Sequence, residues 1–367
     1  MNVLIAAGGT AGHISPALAL ARELAESHHA DVRFVGTPGG QESRVVPAAG
    51  FAFEAVEAAP FVRALSARNL TAPAVVVRAI GRARPIVERA DVVVGMGGYV
   101  SVPVAVAALR ARRPLVLHEQ NAVPGLANRA FARLARTVAL SFAETGRQLP
   151  RRARTLVTGN PVRASILAVR TDRERLAKEA VDELGLDPER RTVVVFGGSQ
   201  GARRIDRAAA EAVRELRDRG DLQLVILTGP AHLELVRDAL PRGMDLVVRV
   251  DAFLERMELA YAIADLIVCR AGASSVAEVA VCGLPSLLVP YPYATAHHQD
   301  ANARALARVG AASVVGDEAF TGPLLAWRIG ELLGDERRLR AMGERAAAWA
   351  RPDAAEALAG AVVGAAS

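Results

Sequence analysis

Short runs of β-branched and aliphatic residues recur along the chain, spaced so that a helix fits between them. Val3–Ala6, Val32–Val35, Val92–Val94, Leu115–Leu117 and Thr155–Thr158 form one set; Val193–Phe196, Leu224–Leu227, Leu246–Val248, Leu266–Val268 and Leu287–Val289 form a second. Near-continuous apolar runs of this length read as strands buried on both faces, and the longer mixed stretches between them as the covering helices. The rhythm is βαβ, so the pattern predicts an α/β fold built on doubly wound parallel sheets.

The two sets open alike. Val3-Leu-Ile-Ala-Ala-Gly-Gly-Thr-Ala-Gly12 is echoed by Val193-Val-Val-Phe-Gly-Gly-Ser-Gln-Gly201, each a strand, a Gly-Gly-hydroxyl turn and the start of a helix. Two similar Rossmann-like domains are therefore expected, 1–160 and 161–344, with Gly159-Asn160-Pro161 as the joint. The Ala-rich stretch after Glu344 is expected to continue as helix past Pro352, so that 345–367 crosses back to complete the first domain. A deep cleft where the domains face one another is the expected active site.

Composition narrows the partners. With 51% hydrophobic residues over 367 positions the chain is no disordered polymer. Its net charge of +6 is unevenly placed: residues 1–157 carry 19 Arg against 10 acidic residues, and the remainder is net negative. A one-sided basic field points to an anionic partner, whether nucleic acid, phospholipid or a phosphorylated substrate. Lys178 is the single lysine, so the abundance of Arg is a habit of the whole chain rather than a choice made at particular sites. Cys269 and Cys282 form no CxxC pair, which predicts a reduced protein without structural zinc. The chain enters its first strand with no basic segment ahead of it, so no signal peptide is expected. Val92–Leu109 lacks charge for 18 residues, but Gly95, Gly97, Gly98, Ser101 and Pro103 divide it into strand, turn and helix rather than a membrane span.

A glycine turn after a parallel strand lets backbone N–H groups converge at a helix N-terminus, where anionic oxygen is favoured; Thr10 or Ser199 would add a hydroxyl donor. Neither turn is a dinucleotide fingerprint. Position 7 is Ala where GxGxxG needs Gly, and the second strand ends Phe34-Val-Gly-Thr37 without the acid that would grip an adenosine ribose. Neither carries the Lys of a Walker A loop. The plain alternative is a turn that only packs helix on strand. His13, in the first turn of the opening helix, is placed where the dipole keeps an imidazole neutral and able to accept a proton; a simple polar contact is the alternative. Glu278, eight residues after Arg270, either accepts from a ribose or only complements a helix dipole. His297 and His298 are adjacent, point about 100° apart and have no third ligand in register, so no metal is expected there.

Six ordered strings carry a resemblance: GGTAGH (8–13), GGYVSVP (97–103), HEQNAVPGLANR (118–129), GNPVR (159–163), FGGSQGAR (196–203) and CRAGASSVAEVAVCGLPSLLVPYP (269–292). Together they resemble the lipid I N-acetylglucosaminyltransferases of peptidoglycan synthesis, the MurG family, over nearly the whole chain. The resemblance implies a GT-B glycosyltransferase. It implies inverting, metal-independent transfer of GlcNAc from UDP-GlcNAc to the MurNAc C4 hydroxyl of undecaprenyl-pyrophosphoryl-MurNAc-pentapeptide (lipid I), giving lipid II. It implies no cofactor and no nucleic acid, but an anionic membrane surface, a peripheral place on the cytoplasmic face, and partners in cell-wall synthesis and division. Carried over by position, His13 and Glu119 are the candidate bases. Thr10, Ala11 and Gly12 approach the donor sugar and the acceptor diphosphate, Tyr99, Glu119 and Asn121 line the acceptor side, with Asn121 in reach of the donor as well, and Arg163, Ser199, Ala273 and Ser274 lie near the nucleotide and diphosphate. Leu254 offers backbone to the uracil, Met257 walls the pocket, Glu278 accepts from the ribose, and Gln299 contacts the sugar. His298 stands where the family pattern has a second Gln. Between Phe61 and Arg89, the residues Arg63, Arg68, Arg78, Arg82 and Arg84 interleave with Phe61, Leu65, Val75, Val76 and Ile80, and the resemblance makes this a membrane-facing surface with Arg78, Arg82 and Arg84 at its centre. A UDP-GlcNAc 2-epimerase shares the fold and the nucleotide and is the rival reading, with a catalytically silent binding module behind it.

Overall fold

A computed structural model describes residues 1–9, 11–57, 68–198 and 201–367, apart from the side chains of Ala11 and of 68–75. The chain divides into two compact units: Met1–Arg163 with Arg351–Ser367, and Ala164–Ala350.

The first unit is built on β1 (Asn2–Ala6), β2 (Asp31–Gly36), β3 (Ala52–Ala55), β4 (Val92–Gly95), β5 (Leu115–Glu119), β6 (Thr137–Leu140) and β7 (Thr155–Val157), all parallel, in the order β3-β2-β1-β4-β5-β6-β7. Alternate residues of β1 serve opposite faces, as the two-residue period of a strand requires. Leu4 and Ala6 pack with Ile80, Ala83 and Val87 of the helix Arg68–Glu88 and with Val104 and Ala108 of the helix Ser101–Arg110. Val3 and Ile5 pack with Leu20 and Leu24 of the helix Ala11–His28 and with Leu358 and Val362 of the helix Ala354–Ala366.

The second unit repeats the plan with β8 (Arg191–Phe196), β9 (Leu222–Leu227), β10 (Val247–Asp251), β11 (Leu266–Cys269), β12 (Ser286–Leu288) and β13 (Ala312–Val314), in the order β10-β9-β8-β11-β12-β13. In each sheet the chain order reverses beside the opening strand. Ala6 pairs with Gly95 at one switch point and Phe196 with Cys269 at the other, so the glycine turns follow the strand ends where open α/β sheets bind ligands.

Three strands escape the sequence pattern: β3 (Ala-Phe-Glu-Ala), β6 (Thr-Val-Ala-Leu) and β13 (Ala-Ser-Val). Two of them are short edge strands without fully buried residues, so no apolar run marks them. The continuous helix expected over 345–367 is interrupted. Residues 345–349 finish the helix Glu336–Trp349 in the second unit, Ala350 is extended (ψ 155°), and a fresh helix begins at Ala354 in the first. Pro352 explains the break, since it lacks an N–H and disfavours helical geometry in the residue before it. The units meet in sequence at Arg163 and Ala164, three residues beyond the expected joint.

Candidate functional site

At the first switch point two loops interlock. Gly98 has φ +77°, and a methyl there would stand 2.8 Å from the Gly8 carbonyl oxygen; Gly9 has φ +92°, and a methyl there would press on the Tyr99 ring at 3.3 Å. Both positions combine a left-handed backbone with a close neighbour, and only glycine meets both demands. His13 sits in the first turn of the helix Ala11–His28, and the bare Cα of Gly97 makes room for its ring. A methyl on Gly97 would lie 3.3 Å from His13 Nε2 and 3.7 Å from Gln120 Oε1. His13 is half-buried, so the imidazole is held against this wall while keeping access to solvent.

His118 and Glu119 end β5 and are buried. His118 Nε2 lies 3.1 Å from the Gly159 carbonyl and Nδ1 lies 3.0 Å from Gln120 Nε2, an arrangement satisfied by a neutral ring protonated on Nε2. Burial, with the nearby His13 adding to it, lowers the His118 pKa to about 4. Glu119 is turned toward its own loop. Its Oε1 accepts the Asn121 N–H at 3.0 Å, and its Oε2 accepts the Gly125 N–H at 2.8 Å and Asn128 Nδ2 at 2.9 Å. Burial raises its pKa against the pull of these donors. Both oxygens thus brace the 120–128 loop, and Asn121 and Tyr99 stand half-buried on the two loops beside it.

In the second unit, the turn after β11 leads through Gly272 into the helix Ala273–Val281. Asn302 pins this turn by donating to the Ala271 carbonyl at 3.0 Å. The shielded Ser274 hydroxyl has no hydrogen-bond partner among the described residues, as a donor kept for an anion at a helix N-terminus would. Arg270 Nη1 is 2.6 Å from Asp317 Oδ1 and donates to the Val289 carbonyl at 3.1 Å, while Arg204 Nε reaches Asp317 Oδ2 at 3.1 Å. This cluster ties together the segments that follow β8, β11, β12 and β13. Below the other glycine turn, Asp206 accepts the Ala202 N–H at 3.0 Å and meets His232 Nδ1 at 2.7 Å; burial pushes its pKa up to about 6.

Glu278 lies on the helix Ala273–Val281 and accepts from the fully buried Tyr261 hydroxyl at 2.9 Å. Phe253 is exposed beside the half-buried Leu254, and Met257 opens the helix Met257–Ile263. Gln299 Oε1 accepts the Tyr291 N–H at 2.9 Å, and His298 Nδ1 lies 2.8 Å from the Thr295 carbonyl, with burial lowering its pKa.

Comparison with known proteins decides the family. Residues 3–140 match the glycosyltransferase family 28 N-terminal domain, and residues 192–358 match the family 28 C-terminal domain. The chain is 43% identical to the UDP-N-acetylglucosamine–N-acetylmuramyl-(pentapeptide) pyrophosphoryl-undecaprenol N-acetylglucosamine transferase of Moorella thermoacetica, over 98% of this chain and 97% of that one. It is 42% identical to the protein so named in a Nocardioides species, over 98% and 96%. The crystal structure of Acinetobacter baumannii MurG superposes with a TM-score of 0.79 at 29% identity, covering 99% of both chains. The chain belongs to the MurG family of glycosyltransferases. Its fold is GT-B, shared with the calicheamicin glycosyltransferase CalG4 (TM-score 0.68, 16% identity) and with the UDP-GlcNAc 2-epimerase of Neisseria meningitidis (0.67, 13%), likenesses that extend to the fold alone.

Within this MurG-family chain, His13, Tyr99, Glu119 and Asn121 gather at the strand ends of the first unit, and Leu254, Met257, Ala273, Ser274, Glu278, His298 and Gln299 lie in the second. Arg163 is the last residue of the first unit rather than part of the second. Thr10 and Ser199 lie outside the described residues, as do the side chain of Ala11 and the stretch carrying Phe61, Arg63 and Leu65. On the helix Arg68–Glu88, Val76, Val77 and Arg78 are exposed, but Ile80 is buried in the core rather than displayed. Helical spacing puts it on one stripe with Ala83 and Val87. Arg82 pairs with Glu57 at 2.9 Å and Arg84 with Glu88 at 2.7 Å. Among the described residues no helix is long and apolar enough to cross a membrane. Asn302 ends the polar run 297–302 that the sequence displays, whereas nothing in the sequence pattern marks Tyr261 or Asn128. Asn128 stands beside Arg129 in the short helix Leu126–Phe131, where a polar residue is ordinary and its type and spacing do not single it out.

Proposed function

We propose that the chain transfers GlcNAc from UDP-GlcNAc to the C4 hydroxyl of MurNAc in undecaprenyl-pyrophosphoryl-MurNAc-pentapeptide, forming lipid II. The observation that carries this reading is identity of about 40% to transferases of that name, running through both halves of the chain. In the reaction the C4 oxygen attacks the anomeric carbon, the bond from that carbon to the UDP oxygen breaks, and UDP leaves with the electron pair. Attack from the opposite face inverts the anomeric centre. His13 takes the hydroxyl proton: it is a half-buried imidazole at the first switch point, whereas both Glu119 oxygens are engaged by the loop they brace. The second unit holds the donor, with Glu278 on the ribose, the backbone at Leu254 on the uracil, Gln299 on the sugar, and the turn at Ala273 and Ser274 beneath the diphosphate. Helix N-termini and Arg163 offset the charge growing on UDP without a catalytic metal. The acceptor's lipid tail places the enzyme at the cytoplasmic face of the membrane, with Val76, Val77, Arg78, Arg82 and Arg84 turned to anionic phospholipid.

The test is transfer of radiolabel from UDP-GlcNAc to a short-chain lipid I analogue, with and without EDTA. Label in the lipid product in both arms supports the proposal. Loss of transfer with EDTA overturns the metal-free mechanism. Conversion of UDP-GlcNAc to UDP-ManNAc without acceptor would make the chain an epimerase instead.

A further inference from the structure

Tyr261 is a buried aromatic on the helix Met257–Ile263, and its ring packs edge-on against Phe196 at the end of β8, with centroids 6.2 Å apart and planes at 73°. An aromatic in such a place is usually nothing but core. Its hydroxyl, however, is delivered to a carboxylate that sits on a different helix. The Tyr261 oxygen donates to Glu278 Oε2 at 2.9 Å. Tyr261 is wholly buried while Glu278 is half-buried, so the contact runs from the interior outward and restrains one oxygen of a side chain with three torsions. Burial, with the neighbouring Glu278 charge adding to it, pushes the Tyr261 pKa well up, so the phenol keeps its proton and stays a donor.

We infer that Tyr261 is a positioning residue for nucleotide recognition: it sets the plane of the Glu278 carboxylate so that this group reads the ribose hydroxyls of the donor. The inference rests on the assignment of Glu278 to the ribose made above. A carboxylate held by a donor to a charged acceptor keeps its aim, whereas one released from it loses rotamer order before it loses charge. Removing the Tyr261 hydroxyl therefore weakens ribose recognition and leaves the chemical step alone.

The test uses four proteins, the wild type, Tyr261→Phe, Glu278→Gln and the double variant, each with UDP-GlcNAc and its 2′-deoxyuridine analogue as donors. Phenylalanine keeps the ring packed on Phe196, and a thermal melt checks that the fold is retained. Expected for Tyr261→Phe are a donor KM raised by about tenfold, kcat within about twofold of wild type, and a preference for the ribose donor cut by about tenfold. The double variant should discriminate no worse than Glu278→Gln, because the tyrosine acts only through the carboxylate. A Tyr261→Phe enzyme that keeps full ribose preference while Glu278→Gln loses it overturns the role of Tyr261 alone. Full preference retained in Glu278→Gln overturns the ribose assignment, and the role of Tyr261 falls with it.

Discussion

Asn128 donates to Oε2 of Glu119 at 2.9 Å across nine residues of chain, and the same oxygen takes the Gly125 N–H at 2.8 Å. A carboxylate used this way is a clasp. Glu119→Gln would set an amide N–H₂ against N–H donors, at a cost of about 1–3 kcal/mol. The melting temperature should fall by on the order of 2–12 °C, with a raised KM for the lipid acceptor. An unchanged melting temperature with kcat lowered a thousandfold would instead return Glu119 to the role of base.

His13→Ala should leave UDP-GlcNAc binding intact by calorimetry and lower single-turnover transfer by about 10²–10⁴-fold. Wild-type turnover in this variant removes His13 from the chemistry.

Acid should act on the two units in opposite senses. His118 is held neutral, its pKa lowered from 6.5 to about 4 by burial, so its contribution is full above pH 6.5 and is lost as pH falls toward 4. That change corresponds to about 3 kcal/mol. Asp206 is raised from 3.8 to about 6 by burial, so its contribution is full below pH 3.8 and is lost as pH rises through 6. Urea unfolding at pH 4.5 and 7 should show His118→Gln less sensitive to acid than wild type and Asp206→Asn more so. Identical pH dependence in all three proteins contradicts both assignments.

Gly98 and Gly50 share a left-handed backbone, φ +77° and +87°, but only Gly98 has a close neighbour there. Alanine at either position brings about 1–3 kcal/mol of backbone strain. Only Gly98→Ala should displace the Gly8 carbonyl and lower kcat/KM by tenfold or more. Equal kinetic losses in the two variants would show that the loops do not need their interlock.

Binding to anionic vesicles should weaken with salt and with Arg78, Arg82 and Arg84 changed together to Glu. Because the pairs with Glu57 and Glu88 are exposed, the change should cost little stability. Sedimentation with vesicles that neither salt nor the triple change alters would refute the surface assignment.

Much of this was written in the chain. β1 and β8 declare themselves because both of their faces are buried and a glycine turn follows each, so apolar run and turn coincide. β3 does not, since an edge strand reading Ala-Phe-Glu-Ala buries too little to leave a pattern. His13 is legible through its place after the turn. The use of Glu119 is not, because two of its three donors are backbone N–H groups, which every residue but proline has and no sequence displays. Tyr261 is hidden for the opposite reason. Its ring satisfies the apolar pattern completely, and the partner of its hydroxyl lies 17 residues on, on another helix.

Leu358 and Val362 cover the face of the first sheet that carries Val3 and Ile5, yet the ribosome makes them only after the whole of 164–350. The second unit is continuous and has all its parts at hand while the nascent chain is still growing. The opening half emerges first and must wait longest, with one apolar face of its sheet covered only in part, by the helix Ala11–His28, until the helix Ala354–Ala366 arrives. In the cell, that interval is when this protein is most exposed to aggregation and to capture by chaperones.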